Sequence, residues 1–599
     1  MAKTAADHIL ERLVQWGVTT VYGFPGDGIN GLLGAFRRAE DRIRFVQTRH
    51  EEMASFMACG HAKWTGEVGV CTATSGPGAI HLLNGLYDAK LDHQPVVAIV
   101  GQTYVRALGG DFQQEVNLLQ LYSDVASAYC QQVNEASAVR HNIDRALRIA
   151  QAERTVTCLI VPADVQERDA VEEQPKATHT VHSGVGWWPP RLIPSKQHLQ
   201  QAADILNAGE RVAMLVGQGA AGATDEVVAV ADKLGAGIAK ALLGKAVVPD
   251  DVPFCTGAIG LLGTKPSWDM MQEADTLLMV GSSFPYSEFL PSEGQARGIQ
   301  IDRAGRMLSI RYPMELALVG DARDTLAELL PMLERKQDRS WQEKIKSGVE
   351  DWWKLMEARG APSELRGRLR PQGLFSSLSR HLPDDAILSS DSGSAANWFA
   401  RQVRMRRGMK ASLSGNLATM VPGVPYAIAA KFAYPDRVAV AMVGDGAMQM
   451  GGMAEMLTAA KYYRQWEDPR LVVLVLNNED LNQVTWEQRA MSGDPRFAGS
   501  QAIPYVPFAD YAEMIGLRGI KVSHPDEIDA AWKKAFDADR PVIVDAITTP
   551  DEPPIPPHVT REQAEKLMKA VLEDPADGWR GALEGVREMA QGLLPGRAR

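Results

Sequence analysis

Cysteine is scarce and scattered. The 599 residues hold five, at Cys59, Cys71, Cys130, Cys158 and Cys255, with no close-spaced pair. That spacing argues against a zinc site or a disulfide framework and fits a reducing cytoplasm. No apolar run is long enough to span a bilayer. Met1-Ala-Lys-Thr leads straight into an amphipathic helical pattern, so no signal peptide is expected. Basic charge is in deficit: 63 Lys plus Arg stand against 74 Asp plus Glu, a net charge of −11. A basic face for nucleic acid is therefore not expected. Internal sequence repeats and low-complexity stretches are also missing. The chain reads as a soluble protein too long for one core, with two to four domains.

What is present is a regular alternation. Short β-branched runs, such as 96–100, 211–216, 276–280, 438–443, 471–476 and 541–544, are separated by helical periodicity. Continuous apolar runs of this length suit parallel sheet covered on both faces, and alternation with helices implies repeated βαβ units. The expected fold class is α/β, with three open parallel-sheet domains. Three breaks divide them: the Pro-rich connector 184–194, the charged helical stretch 335–371, and Asp551-Glu-Pro-Pro-Ile-Pro-Pro557. The expected domains are 1–183, 190–335 and 365–548, followed by a tail, 549–599. In the tail, Leu583, Val586, Met589, Leu593 and Leu594 form a modest amphipathic stripe. Packing on the protein's own surface explains it better than peripheral membrane contact.

Two strand ends carry the chemistry. Run 438–443 feeds Gly444-Asp445-Gly446, and run 471–476 ends in Asn477-Asn478. Their separation fits one crossover helix with short loops. The glycines let backbone approach an anion, and the helix beginning near Ala447 offers free N–H groups. Asp445 can hold a divalent ion that a diphosphate also binds. The Asn478 amide oxygen and the Asp480 carbonyl can add two more oxygen ligands, as magnesium requires. A lone Gly-Asp-Gly is a common turn; two ligand-bearing strand ends in one sheet are not.

With these motifs the chain resembles the thiamine diphosphate enzymes, whose signature is Gly-Asp-Gly followed one crossover later by Asn-Asn. The separation here is slightly long, and Arg464-Gln-Trp-Glu-Asp-Pro-Arg470 accounts for it. The resemblance implies that Gly444, Asp445, Gly446, Ala447, Asn478, Asp480, Leu481 and Asn482 surround thiamine diphosphate and Mg2+, with Gly393 and Ser394 as a second phosphate loop. It implies that Glu51, which follows Arg49-His50, is the glutamate that hydrogen-bonds the aminopyrimidine and promotes loss of the thiazolium C2 proton. Alone, Glu51 would read as an ordinary acidic helix start. Pro25 and Gly26, Thr74 in Thr74-Ser-Gly-Pro-Gly78, and Asn84 match the pyrimidine-binding domain. Met420 stands where the family places a large apolar side chain under the thiazolium, and Phe112 and Gln113 stand where a Phe and a Gln line the substrate pocket. The family's glutamate and metal site come from different subunits, so a homodimer or homotetramer is implied.

Gly217-Gln-Gly219-Ala-Ala-Gly222 follows a strand and spells the dinucleotide fingerprint, but the acidic residue due about twenty positions on is missing. A nicotinamide dehydrogenase is weakly supported. The better account is a resemblance, across nearly the whole chain, to flavin-bearing pyruvate oxidases, especially the quinone-reducing type. It rests on 256–263, 281–286, 300–303 and 314–321. It implies FAD held by Gly217, Gly219, Gly222, Thr256, Gly257, Gly281, Ser283, Phe284, Asp302, Arg303 and Asp321. Related acetolactate synthases keep a flavin for structure only.

The resemblance implies oxidative decarboxylation of pyruvate or a similar 2-keto acid, with electrons passing through flavin to quinone or oxygen. The alternative is carboligation of the acetolactate synthase type with FAD idle; a non-catalytic binding protein is a third reading. One segment departs from the oxidases: Asn482 and Gln483 stand where they usually show Gly and Phe. Trp486 resembles a downstream Trp of the carboligases.

Overall fold

The computed structural model describes residues 3–554 and 560–573. The stripe expected at residues 583–594 lies outside them. Their contacts gather into two compact units. One comprises Met1–Pro189, Leu413–Ala441 and Gln449–Leu471; the other comprises Pro190–Ser412, Met442–Met448 and Val472–Arg599.

Three six-stranded sheets form the framework. The first contains β1 (Thr20–Gly23), β2 (Arg44–Gln47), β3 (Gly69–Ala73), β4 (Val96–Gln102), β5 (Cys130–Gln132) and β6 (Val156–Pro162), in the order β2-β1-β3-β4-β6-β5. The second contains β7 (Val212–Val216), β8 (Gly237–Lys240), β9 (Cys255–Ala258), β10 (Thr276–Val280), β11 (Arg297–Asp302) and β12 (Leu316–Val319), in the order β12-β11-β10-β7-β8-β9. A hairpin, β13 (Glu364–Leu365) and β14 (Arg368–Leu369), precedes the third. That sheet contains β15 (Ile387–Ser390), β16 (Lys410–Ser412), β17 (Ala439–Gly444), β18 (Leu471–Asn477), β19 (Arg518–Val522) and β20 (Val542–Ile547), in the order β16-β15-β17-β18-β20-β19.

Every residue of β4, β7 and β18 is buried. Helices cover both faces of parallel strands, which is why these runs are apolar throughout rather than alternating. The first and third sheets share one strand order, a structural repeat with no counterpart in sequence. In open α/β sheets ligands bind beyond the strand carboxyl ends where the order reverses. In these two sheets that point lies between β1 and β3, and between β15 and β17. In the second sheet it lies between β7 and β10.

The helical pattern from Ala447 to Tyr463 is interrupted. Asp445–Ala447 forms one α-turn, Met448–Gly452 widens into a π-turn, and α-helix resumes over Met453–Tyr462. The Gly451-Gly452 pair permits the widening, and such turns recur beside functional sites. Residues 340–359 form a single helix, Ser340–Arg359.

Candidate active site

The reversal point of the third sheet holds the expected metal residues. Asp445 stands at the end of β17, only 2% exposed. Its Oδ1 accepts the Gly446 N–H at 2.9 Å; its Oδ2 accepts those of Asn478 at 2.8 Å and Glu479 at 2.6 Å. Burial pushes its carboxyl up to about 7, against the three N–H groups, and the nearby Asp480 charge adds to the rise. No Lys, Arg or His pairs with it among the described residues. A buried carboxylate in this state fits a divalent cation, which would supply the missing positive charge.

The neighbouring groups are arranged around it. Asn478 Oδ1 accepts the Asp480 N–H at 3.0 Å. The Asp480 carboxylate is engaged by other side chains, accepting from Thr485 Oγ1 at 2.7 Å and Arg496 Nε at 2.8 Å. Its carbonyl accepts the Asn482 N–H at 2.7 Å, and the Leu481 N–H donates to Gln501. A Cβ added at Gly444 or Gly393 would meet nothing within 4 Å. Space is therefore open at both strand ends, above Ala447 and above Ser394, the first residue of helix Ser394–Gln402. Free N–H groups at such a helix start suit a phosphate. The two unusual residues are locally paired: Asn482 Nδ2 donates to the Pro550 carbonyl at 2.6 Å, and Gln483 Oε1 accepts from Asn397 Nδ2 at 2.8 Å.

Glu51 belongs to the other compact unit. It opens helix Glu51–Thr65, which His50 caps by accepting the Glu52 N–H on its ring. Glu51 is 8% exposed, and its Oε2 lies 3.0 Å from His81 Nδ1. A Cβ at Gly78 would stand 2.8 Å from Thr74 Cγ2 and 3.0 Å from Glu51 Oε1, so a larger residue would crowd both. Gly26 plays the same part against Thr74, where a Cβ would come within 2.5 Å. Pro25, Gly26 and Thr74 thus flank the reversal point between β1 and β3.

Asn84 reaches two partners. Its Nδ2 donates to Glu52 Oε1 at 2.6 Å and to Thr419 Oγ1 at 3.1 Å. Thr419 and Met420 lie on a loop with two non-glycine residues in the left-handed region, Ala418 (φ 53°) and Val421 (φ 91°). Holding a β-branched residue there costs about 1–3 kcal/mol. The loop is tied to helix Leu83–Leu91 and its cap Asp92: Ser414 Oγ donates to Asp88 at 2.7 Å, and the N–H groups of Gly415 and Asn416 donate to Asp92 at 2.8 Å each. Met420 is half-buried. Phe112 and Gln113 are exposed, on a turn whose Gly109 and Phe112 N–H groups both donate to Glu115.

The fingerprint glycines meet at the reversal point of the second sheet. Gly217 donates its N–H to Val280 and Gly219 donates to Gly281, each at 3.0 Å. A Cβ at Gly219 would lie 2.8 Å from Gly281 Cα. These glycines thus let two loops touch, and their amides are already taken by protein carbonyls. Thr256 Oγ1 bonds Ser267 and Ile238, and Asp321 caps helix Ala322–Leu329. Gly257 has φ 93° in β9, and a Cβ there would lie 2.8 Å from Thr264. Gly222 (φ 84°) borders open space. Ser283 follows the end of β10, Asp302 is the last residue of β11 and Arg303 follows it, while Phe284 is buried edge-on to Tyr286. The topology fits a nucleotide cofactor, with the loop after Gly219 and these strand-end residues as the groups able to hold it.

Sequence reasoning missed His81, Thr419 and Glu455. Glu455 is fully buried, accepts the Arg49 N–H at 2.6 Å, and is pushed up to about 7 by burial. No local pattern marks any of the three.

Three family models match, one within each sheet's domain: "Thiamine pyrophosphate enzyme, N-terminal TPP binding domain" over residues 3–121, the central domain over 199–329, and the C-terminal TPP binding domain over 391–546. The chain is 37% identical to the putative thiamine pyrophosphate-containing protein YdaP of Bacillus subtilis, across 96% of both. The chain belongs to the thiamine pyrophosphate enzymes. Within that family it is similar to a pyruvate oxidase of Lactiplantibacillus plantarum, at 30% identity over 91% of this chain and 88% of the relative. It is equally similar to the acetolactate synthase large subunit of Corynebacterium glutamicum, at 30% over 92% and 87%. The thiamine pyrophosphate enzymes thus account for all three sheets, and identity alone does not choose between oxidase and carboligase. No helix among the described residues is long and apolar enough to cross a membrane.

Proposed function

We propose that this thiamine pyrophosphate enzyme decarboxylates pyruvate or a similar 2-keto acid oxidatively, using Mg2+ and FAD. The buried Asp445 carboxylate, facing backbone donors but no cation, carries the reading. Asp445, the Asn478 amide oxygen and the Asp480 carbonyl would hold Mg2+. Gly393, Ser394, Gly444, Gly446, Ala447, Leu481 and Asn482 would receive the diphosphate. Thiamine diphosphate, when bound, supplies the electron sink for decarboxylation, and FAD supplies a two-electron acceptor. Glu51 would be the carboxylate that holds a proton against the aminopyrimidine, and His81, 3.0 Å from its Oε2, would orient it. Pro25, Gly26, Thr74 and Asn84 would shape the pyrimidine side, and Met420 would support the thiazolium. Phe112 and Gln113 would meet the keto acid from an exposed turn held by Glu115.

FAD would lie along Gly222, Gly257, Ser283, Phe284, Asp302 and Arg303, with Gly217, Gly219, Gly281, Thr256 and Asp321 shaping the loops. Quinone or oxygen would reoxidise it. A homodimer or homotetramer in the cytoplasm completes the reading.

Carboligation is the second reading. It is favoured by the polar pairings of Asn482 and Gln483, which replace an apolar surface beside the metal loop. Anaerobic mixing of the pure holoprotein with pyruvate separates the two. Oxidation bleaches the flavin and yields acetate. An unbleached flavin with an accumulating carbon–carbon product would overturn the oxidase reading.

A further inference from the structure

His8 is only 5% exposed, yet neither of its ring nitrogens has a hydrogen-bond partner. Buried polar groups are almost always paired, so this exception needs a reason. Polar neighbours are at hand. His8 and Glu11 stand three positions apart on helix Ala5–Gln15 and share one face. Glu172 reaches the same face, and one ligand atom from each of the three lies within 4.8 Å of the others. Burial holds the imidazole below its usual range, and the Lys3 charge adds to the fall. The ring is therefore neutral at about pH 7 and keeps a free lone pair.

The backbone brings these side chains together. The Ala5 N–H donates to the Arg168 carbonyl, and the Ala170 N–H donates to the Lys3 carbonyl, each at 2.8 Å. This short antiparallel bridge, Thr4 against Asp169, lays the segment leading to Glu172 beside the first turns of the helix. The Thr4–Asp7 capping box fixes where that helix begins. Lys3 Nζ pairs with Glu11 and stands 2.7 Å from Glu172. One ammonium thus faces two carboxylates, which leaves the cluster one negative charge in excess. Lys3 is partly exposed, and ion pairs of this kind contribute little, so it can swing out into solvent.

We propose that His8, Glu11 and Glu172 form a structural site for a divalent transition ion of the Zn2+ type, with Lys3 as the cation it displaces. One imidazole nitrogen and two carboxylate oxygens match the mixed donors that zinc accepts, and a water completes four-coordination. Bonds of about 2 Å require the donors to close by up to about 1.5 Å, within reach of rotamer changes in Glu11 and the exposed Glu172. Mg2+ favours oxygen donors, so this site and the Asp445 site take different ions. The bound ion supplies the partner that His8 lacks and ties helix Ala5–Gln15 to the segment after Arg168.

The test is Co2+ titration of the untagged full chain, loaded with Mg2+ and thiamine diphosphate so that the Asp445 site is filled. Co2+ stands in for Zn2+, and its visible absorption strengthens at low coordination number. A His81→Gln background removes the other such group among the described residues, His50, Glu51 and His81. One Co2+ per chain is expected, with a visible band that Zn2+ abolishes. Glu11→Gln and Glu172→Gln, neither of them in the core, should each weaken uptake by more than the roughly tenfold that a lost outer partner costs. Lys3→Met should tighten it about fivefold, because a competing ion pair worth up to about 1 kcal/mol is gone. No saturable uptake, uptake unchanged in both Gln variants, or weaker uptake in Lys3→Met would overturn the proposal.

Discussion

His81 Nδ1 lies 3.0 Å from Glu51 Oε2, at the first turn of a helix whose start is buried. The imidazole holds one carboxylate oxygen, and Gly78 leaves room beside the other. Glu51→Gln keeps the shape and removes the exchangeable acid. We expect carbon dioxide release from pyruvate to fall by about 10²–10⁴-fold, the usual share of general acid–base catalysis. Thermal stability should change little. Release at the wild-type rate would remove Glu51 from the mechanism.

Asp445 binds a proton or a metal, not both. With its carboxyl raised to about 7 in the metal-free chain, protons compete with Mg2+ below neutrality. Magnesium titrations followed by tryptophan fluorescence should show weaker binding at pH 6 than at pH 8. Asp445→Asn should bind weakly at both, with the pH difference gone.

Glu455 makes stability fall as pH rises. Its carboxyl is raised by burial from the usual 4.5 to about 7. Between those values the folded chain keeps a proton that the unfolded chain has released. The stabilisation is complete below about pH 4.5 and is lost as pH rises through 7. At pH 8 the buried charge costs about 3 kcal/mol at most. Glu455→Gln should flatten thermal midpoints measured from pH 5 to 8 relative to wild type. Parallel curves would show that Glu455 does not titrate in this range.

Gly281 is constrained by packing rather than by a ligand. It holds φ 58°, and a Cβ there would come within 2.4 Å of the Gly219 backbone. Gly281→Ala should lower thermal stability by a few kcal/mol. The loss should be equal with and without added FAD. A loss seen only in the flavin-loaded protein would instead make Gly281 a cofactor contact.

Asn84 joins Glu52 to the strained loop at Thr419. Asn84→Ala leaves both partners short of a donor and should cost about 1–3 kcal/mol. Looser seating of Met420 should appear as weaker thiamine diphosphate retention on gel filtration.

The sequence by itself determined the α/β class, the strands and the Asp445–Asn478 pair. Buried parallel strands need unbroken apolar runs, and ligands at strand ends follow directly after them, so both are local patterns. It also marked the glycines of residues 217–222, though not their use, because the carbonyls that take up the Gly217 and Gly219 N–H groups come from the end of another strand. Only the tertiary structure decided the partners of Glu51, Asn84, Arg49 and Arg368. His81 stands 30 positions from Glu51, Thr419 335 from Asn84, Glu455 406 from Arg49, and Glu479 111 from Arg368. Burial and hydrogen bonding act between neighbours in space. The shared strand order of the first and third sheets, and not any motif, sets which distant residues become neighbours.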